Sequence, residues 1–272
     1  MAEREASWLP LAVGLAVVVL WGATPVATKL ATREIDPLVV ALVRTALGGF
    51  AAAPLALLLR IGLPPRRLLM PFGLSAFCAF VGFPVTFTLG QRLTSAMHGG
   101  LILAVLPMFT GVIAAVVERR RPAGRWWLGC AIAFAGEMLL VAGRAPTGAS
   151  PASLGGDMLV LLSCVFAATS YVAGARLTQA RYASLGTTLW GVSAMMLLIA
   201  PALPLTDGGA LPTASPLAWG AVFFLAWITS MLGYVGWYWA LGHGGITRMG
   251  TIQFLQPLSG LVLACFLLGE RP

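Results

Sequence analysis

Nine apolar stretches, each close to the length a helix needs to cross a bilayer, follow one another with short polar breaks. They run approximately over 8–31, 37–59, 68–91, 95–118, 126–143, 155–176, 183–205, 216–241 and 246–269. Roughly 20 residues of helix, rising about 1.5 Å each, span the roughly 30 Å hydrocarbon core. The pattern therefore predicts nine transmembrane helices. Their connections carry turn chemistry, including Asp36-Pro37, Pro64-Pro65, Pro122-Ala-Gly124 and Asp207-Gly-Gly209. The longest connection, around 144–154, is rich in Ala, Pro, Gly and Ser. The first stretch is too long for the apolar region of a signal peptide and is expected to be retained.

One stretch recurs. Aligning Pro107 on Pro257, a shift of 150, gives seven identities in 25 positions, among them Gly100 with Gly250 and Ile102 with Ile252. The alignment also matches the Arg121-Pro122 ending with Arg271-Pro272. The chain thus reads as two related halves, 1–147 with helices 1–5 and 148–272 with helices 6–9. In the first half a fifth helix follows the Arg-Pro signal, so a tenth helix of about 20 apolar residues is expected after Pro272. An odd number of helices per half makes the second half enter the membrane from the opposite side, which is an inverted repeat. The basic residues fall unevenly, with eleven on one side (from Arg4, Arg60, Arg66 and Arg67 to Arg248) and five on the other, Lys29 and Arg33 among them. The positive-inside rule then places the N-terminus in the cytoplasm.

Composition agrees with lipid as the solvent. Of 272 residues 59% are hydrophobic and 10% charged, against about 25% charged in soluble domains. The net charge of +8 comes from arginines in short loops, a topology pattern rather than a nucleic-acid face. The four cysteines lie inside apolar runs without clustered spacing, so no disulfide framework or metal site is expected. There is no GxxxxGK[ST] motif for ATP, no His–acid constellation for catalysis and no ring of like charges for a channel. A secondary transporter or facilitator without cofactor is the reading that remains. A polytopic enzyme is the reading from another class.

Charges inside the apolar runs cost roughly 2.5–3.5 kcal/mol each at a helix centre. Arg44 in helix 2 and Glu137 in helix 5 lie at similar depth. They read as a structural charge pair, the alternative being that each snorkels to the outer interface. His98 opens helix 4 as either a gating group or an interfacial histidine. Pro25, Pro84, Pro107 and Pro257 each remove a backbone hydrogen bond inside a helix and bend it. Such bends line cavities or serve packing alone. The small-residue faces of Gly48, Gly49 and Ala52 in helix 2, and of Gly129 and Ala133 in helix 5, allow close helix approach.

The stretch LWGATPVATKLATREIDPLVVALVRTALGG (Leu20–Gly49) resembles the first two helices of the EamA type of the drug/metabolite transporter superfamily. The carrying residues are Trp21, Gly22, Lys29 and Arg44, with Pro107 and the Pro257…Gly269-Glu270-Arg271 ending as the repeated hallmark. Glu118 departs from the pattern by standing two residues early relative to Glu270. In general character the YddG-like aromatic amino-acid exporters are nearest. The resemblance implies an all-α membrane protein, a ten-helix transporter with nine helices visible, built from two inverted five-helix repeats around a central cavity. It also implies export of metabolites, and a cavity lined mainly by helices 1, 3, 4, 6, 8 and 9.

Helical wheels at 100° per residue then nominate the cavity wall. Trp21 and Thr24 come from helix 1, Phe80 and Phe87 from helix 3, His98 from helix 4, and Ser163 and Ser170 from helix 6. Helix 8 offers Trp227, Tyr234 and Tyr238, and helix 9 offers Gln253 and Gln256. Tyr238, near a helix end, also reads as an interfacial belt residue, whereas Trp227 lies near mid-membrane. Together they predict an aromatic-walled cavity with amides and hydroxyls and no buried net charge. That lining suits a small zwitterion or neutral metabolite. The expectation is an alternating-access exporter of amino acids, aromatic or large neutral ones, in a bacterial-type inner membrane. Its partners are the small-molecule substrate and the lipid bilayer, with no nucleic acid, and it is a monomer or weak dimer. A broad exporter of lipophilic drugs is the alternative.

Overall fold

The computed structural model describes residues 8–94, 99–100, 102–119, 123–142, 153–205 and 213–268. The protein is all helical over these residues. Its helical rods are α1 Leu9–Thr32, α2 Pro37–Leu58, α3 Arg66–Arg92, α4 Leu103–Glu118, α5 Gly124–Ala142, α6 Leu154–Gln179, α7 Ser184–Pro204, α8 Pro216–Gly244 and α9 246–268. Among the described residues six of these, α1–α3 and α6–α8, are long and apolar enough to cross a membrane.

The starts are encoded locally. Asp36 accepts from the Leu38 amide at 2.8 Å and Pro37 follows it, so α2 begins with a side-chain cap and a preset φ. Ser153 and Ser215 cap α6 and α8, accepting from the Gly156 and Ala218 amides at 3.0 and 3.2 Å, with Pro216 following Ser215. At the other ends, α2, α4 and α6 stop at Arg60, Arg119 and Arg181, each left-handed with φ of 54°, 52° and 64°. After α2 and α6 the next amides, Ile61 and Tyr182, reach back to Ala56 and Leu177, closing a Schellman-type cap.

Packing is inside out relative to a soluble protein. The outer faces carry Phe50, Met70, Val116 and Phe266, all strongly exposed. The interior holds Thr28, Arg44, Ser75, Ser163, Ser170 and Gln253. With lipid outside, apolar burial drives little, and close packing and interior hydrogen bonds hold the helices together. α2 packs along α7, α3 along α6, and α1 along α8, while α4 meets α6 and α9 meets α1. These pairings exchange into one another when each helix is swapped with the one five positions away. The Gly48–Gly49 face of α2 receives Val192 and Met196 of α7, so that small-residue stripe serves an internal contact. Gly129 of α5 faces open space, and the Ala133 side chain lies outside the described residues.

The rods are broken where the site forms. α1 is interrupted at Ala23, whose amide bonds Leu20 rather than the residue four back. α3 widens into a π segment over Cys78–Gly82, and α8 into another over Phe224–Leu232. α4 begins with a tight 3-10 turn at Leu103–Val105, and α9 has one at Thr251–Phe254. Pro25, Pro84, Pro107 and Pro257 each stand within the first three residues of the α-helical segment that resumes after an irregular turn. A proline there has no amide to bond back into the preceding turn, and the Phe80 carbonyl, four residues before Pro84, accepts from Thr45 instead. Shifted by 150, the first-half π and 3-10 segments overlap those of the second half.

Candidate functional site

The irregular turns converge on one small cavity. A π turn holds one more residue than an α turn and loosens the backbone ladder, leaving carbonyls for other donors. In α8 the Leu225 carbonyl accepts from Thr229 Oγ1 and Ser230 Oγ, each at 2.8 Å, and from Arg44 Nη2 at 3.3 Å. Arg44 Nη2 also reaches Thr229 Oγ1 at 3.3 Å and Ser230 Oγ at 2.8 Å. Beside it on α2, Thr45 Oγ1 donates to the Phe80 carbonyl in the α3 π segment at 2.6 Å. Trp21, just before the break in α1, donates through Nε1 to the Thr229 carbonyl at 2.9 Å.

Trp21 is also the centre of an aromatic cluster. It stacks on Tyr171 of α6 with ring centroids 5.4 Å apart and an 11° interplanar angle. It meets Tyr234 edge-on at 5.3 Å and Trp237 at 5.6 Å. Offset and edge contacts of this kind contribute beyond burial alone. Around the cluster, Trp21 and Thr24 of α1, Arg44 of α2 and Phe83 of α3 line the cavity. Leu103 and Leu106 of α4, Tyr171 of α6, Thr229 and Tyr234 of α8, and Gln256 of α9 complete it. The free space is about 10 Å³, room for about one water molecule. A substrate-sized ligand needs the helices to part.

One turn along α8 from Tyr234, Tyr238 closes the bundle towards the ends of α3, α6 and α8 that share one side. Its hydroxyl lies 2.6 Å from Ser170 Oγ and accepts from Ser75 Oγ at 3.0 Å. At the opposite end of α3, Lys29 donates to the carbonyls of Gln91 and Thr94 at 3.1 and 2.6 Å, completing the last turn. The four residues that carry the family resemblance thus each make a contact between helices. Trp21 holds the α8 π turn, Gly22 lies against Gly260, Lys29 caps α3, and Arg44 enters the cavity.

Of the residues nominated from sequence, Trp21, Thr24, Tyr234 and Gln256 line the cavity. Phe80 lies behind it, 5.2 Å from the Tyr234 ring, and Phe87 is stacked at 5.2 Å on Phe83. Gln253 is buried beside the Tyr171 hydroxyl. Ser170 and Tyr238 belong to the closed cluster with Ser75, and Ser163 Oγ is turned to its own helix at the Val160 carbonyl. His98 and the Glu137 side chain lie outside the described residues. Trp227 is a correction. It is 43% exposed on the outer surface, next to Phe223, with Nε1 donating to the Leu47 carbonyl. The π segment is the reason, because the wheel that placed Trp227 with Tyr234 assumed 100° per residue across turns that rotate less. The expectation of no buried charge is also corrected, since Arg44 is 2% exposed and lines the cavity. The partners described for Arg44 are all on α8.

Sequence reasoning missed Tyr171, Thr229 and Phe83. Tyr171 was legible as the lone large polar aromatic among the small residues of α6. Phe83 and Thr229 were not, because they sit at the phase shifts of the two π segments.

Broken apolar helices around a polar and aromatic cavity define a polytopic membrane transporter. The EamA-like transporter family matches residues 8–142 and 154–272, and the chain belongs to that family. It is 32% identical over 274 residues to a Bacillus subtilis (strain 168) protein named as an uncharacterized transporter, YdeK, covering 100% of this chain and 92% of the relative. It is 28% identical over 273 residues to a Salmonella typhimurium protein named as a probable amino-acid metabolite efflux pump, covering 94% and 86%. A crystal structure of a protein 19% identical matches with a TM-score of 0.73 over 97% of this chain and 89% of the other, which is agreement in fold.

Proposed function

We propose that this protein exports amino acids, aromatic or large neutral ones, from the cytoplasm across the inner membrane. The observation that carries the reading is the cavity wall. Trp21, Tyr171, Tyr234 and Phe83 form an aromatic surface for an apolar side chain, and Thr24, Thr229 and Gln256 supply polar atoms beside it. Gln256 Oε1 is buried and has no hydrogen-bond donor among the described residues, which suits the ammonium of an amino acid. The name of the Salmonella relative, an amino-acid metabolite efflux pump, points the same way. The N-terminus is cytoplasmic on the positive-inside count. Two inverted halves rock about the cavity, and the Tyr238–Ser75–Ser170 cluster closes the cytoplasmic side. Transport is driven by the substrate gradient.

The test is reconstitution in liposomes with a panel of amino acids, ethidium and a nucleotide sugar. Phenylalanine, leucine or methionine should move, and Gln256→Ala should slow them. Movement of ethidium with no amino acid moved would instead favour a lipophilic-drug exporter and overturn the proposal.

A further inference from the structure

The cavity holds a cation whose hydrogen-bonding capacity is half used. Arginine stays ionised in proteins and offers five N–H donors in a rigid plane. Nη2 of Arg44 is held by the Leu225 carbonyl and by the hydroxyls of Thr229 and Ser230. Nε and Nη1, which carry the other three N–H groups, are buried and have no partner among the described residues. Among the described residues, the groups that hydrogen-bond Arg44 are all neutral, so its charge is solvated only in part. Leaving a buried charge unpaired is among the costliest arrangements in a protein interior, and more so in a bundle surrounded by lipid. A structural role alone would be met by a neutral donor of the same reach. The guanidinium instead lies on the cavity wall, in one lining with Trp21, Tyr171 and Tyr234, and its contact with α8 fixes its plane before any ligand arrives.

We infer that Arg44 is the carboxylate anchor of the transport site, so that a ligand must present a carboxylate to be held there. This rests on the reading of the cavity as an amino-acid site and adds its orientation. The carboxylate lies against α2 and the α8 π turn, and the side chain lies on the Trp21–Tyr171–Tyr234 wall. It also sets an exclusion, because amines and carboxamides of the same shape leave the guanidinium's charge unmatched.

The test uses the full chain in detergent and reads ligand-induced thermal stabilisation. Phenylalanine, leucine and 3-phenylpropionate are compared with phenylalaninamide and leucinamide. The acids should stabilise at concentrations at least ~10-fold lower than the amides. Arg44→Gln should abolish that preference, and Arg44→Lys should keep part of it. If Arg44→Gln does not fold, the wild-type ligand series decides on its own. Amides binding as tightly as acids, no acid binding to the wild type, or a folded Arg44→Gln that keeps the preference would each overturn the inference. Amino-acid transport in liposomes with no preference for acids sinks the anchor and spares the export reading. A preference for acids with no amino-acid transport does the reverse.

Discussion

Alanine at Gly260 should separate α1 from α9. The two helices touch backbone to backbone at this point, beside the break in α1. A Cβ on Gly260 would lie 2.9 Å from the Gly22 carbonyl oxygen, where ordinary contact begins at 3.4 Å. The atom met is backbone, so no side chain can swing away, and one helix must retreat, by about 0.5 Å if ordinary contact is to be restored, the shortfall between those two distances. Overpacking of this kind costs about 1–3 kcal/mol. In a chain of this size that lowers the melting temperature by several degrees. Gly220 of α8 supplies the contrast. A Cβ there meets nothing within 4 Å, and alanine should raise helix stability by about 0.5–1 kcal/mol. Thermal unfolding of the two single variants in the same detergent, followed by circular dichroism, should therefore show shifts of opposite sign. Gly260→Ala as stable as the parent, or both variants shifting alike, would refute the close approach of α1 and α9.

Tyr238→Phe removes a hydroxyl shared by Ser75 and Ser170 and should cost roughly 1 kcal/mol. Because Ser75 then has less to lose, the double variant with Ser75→Ala should lose less than the sum of the singles, and additive losses in thermal unfolding would contradict the cluster. Glu34, in the loop after α1, accepts from the Ser215 hydroxyl and amide at 2.6 and 2.7 Å, and these bonds hold its pKa below the ordinary 4.5. A carboxylate with a lowered folded pKa stabilises fully above the ordinary value and loses that contribution as pH falls through the folded one. The melting temperature of Glu34→Gln should accordingly fall less than that of the parent on acidification below pH 4.5, and parallel curves would exclude the contribution.

The rods were legible because apolar length is a direct demand of the bilayer, and each of the nine predicted runs contains a helix among the described residues. The site was legible outside the π segments. Thr24 lies three residues after Trp21, across the break at Ala23, and both still reach the cavity. Legibility ended at the π segments. Their wider turns rotate the chain beyond them, which turned Trp227 outward and brought Phe83 and Thr229 in. Composition carries no warning of a π turn, since FLAWITSML reads as well as an α-helix. Arg44 was visible as a buried charge, but its surroundings depend on α8, some 180 residues away in sequence.

Neighbouring residues of α2 grip opposite halves of the molecule. Arg44 reaches the widened turn of α8, and Thr45 that of α3, so a single peptide bond joins the two tethers. α2 therefore works as a yoke between the places where the long helices are softest. A swing of one widened turn would pull on the other through less than one turn of helix, which would couple the two sides of the bundle. A carrier that must never be open at both ends would gain from such a linkage, because the exclusion would be mechanical before any gate residue took part.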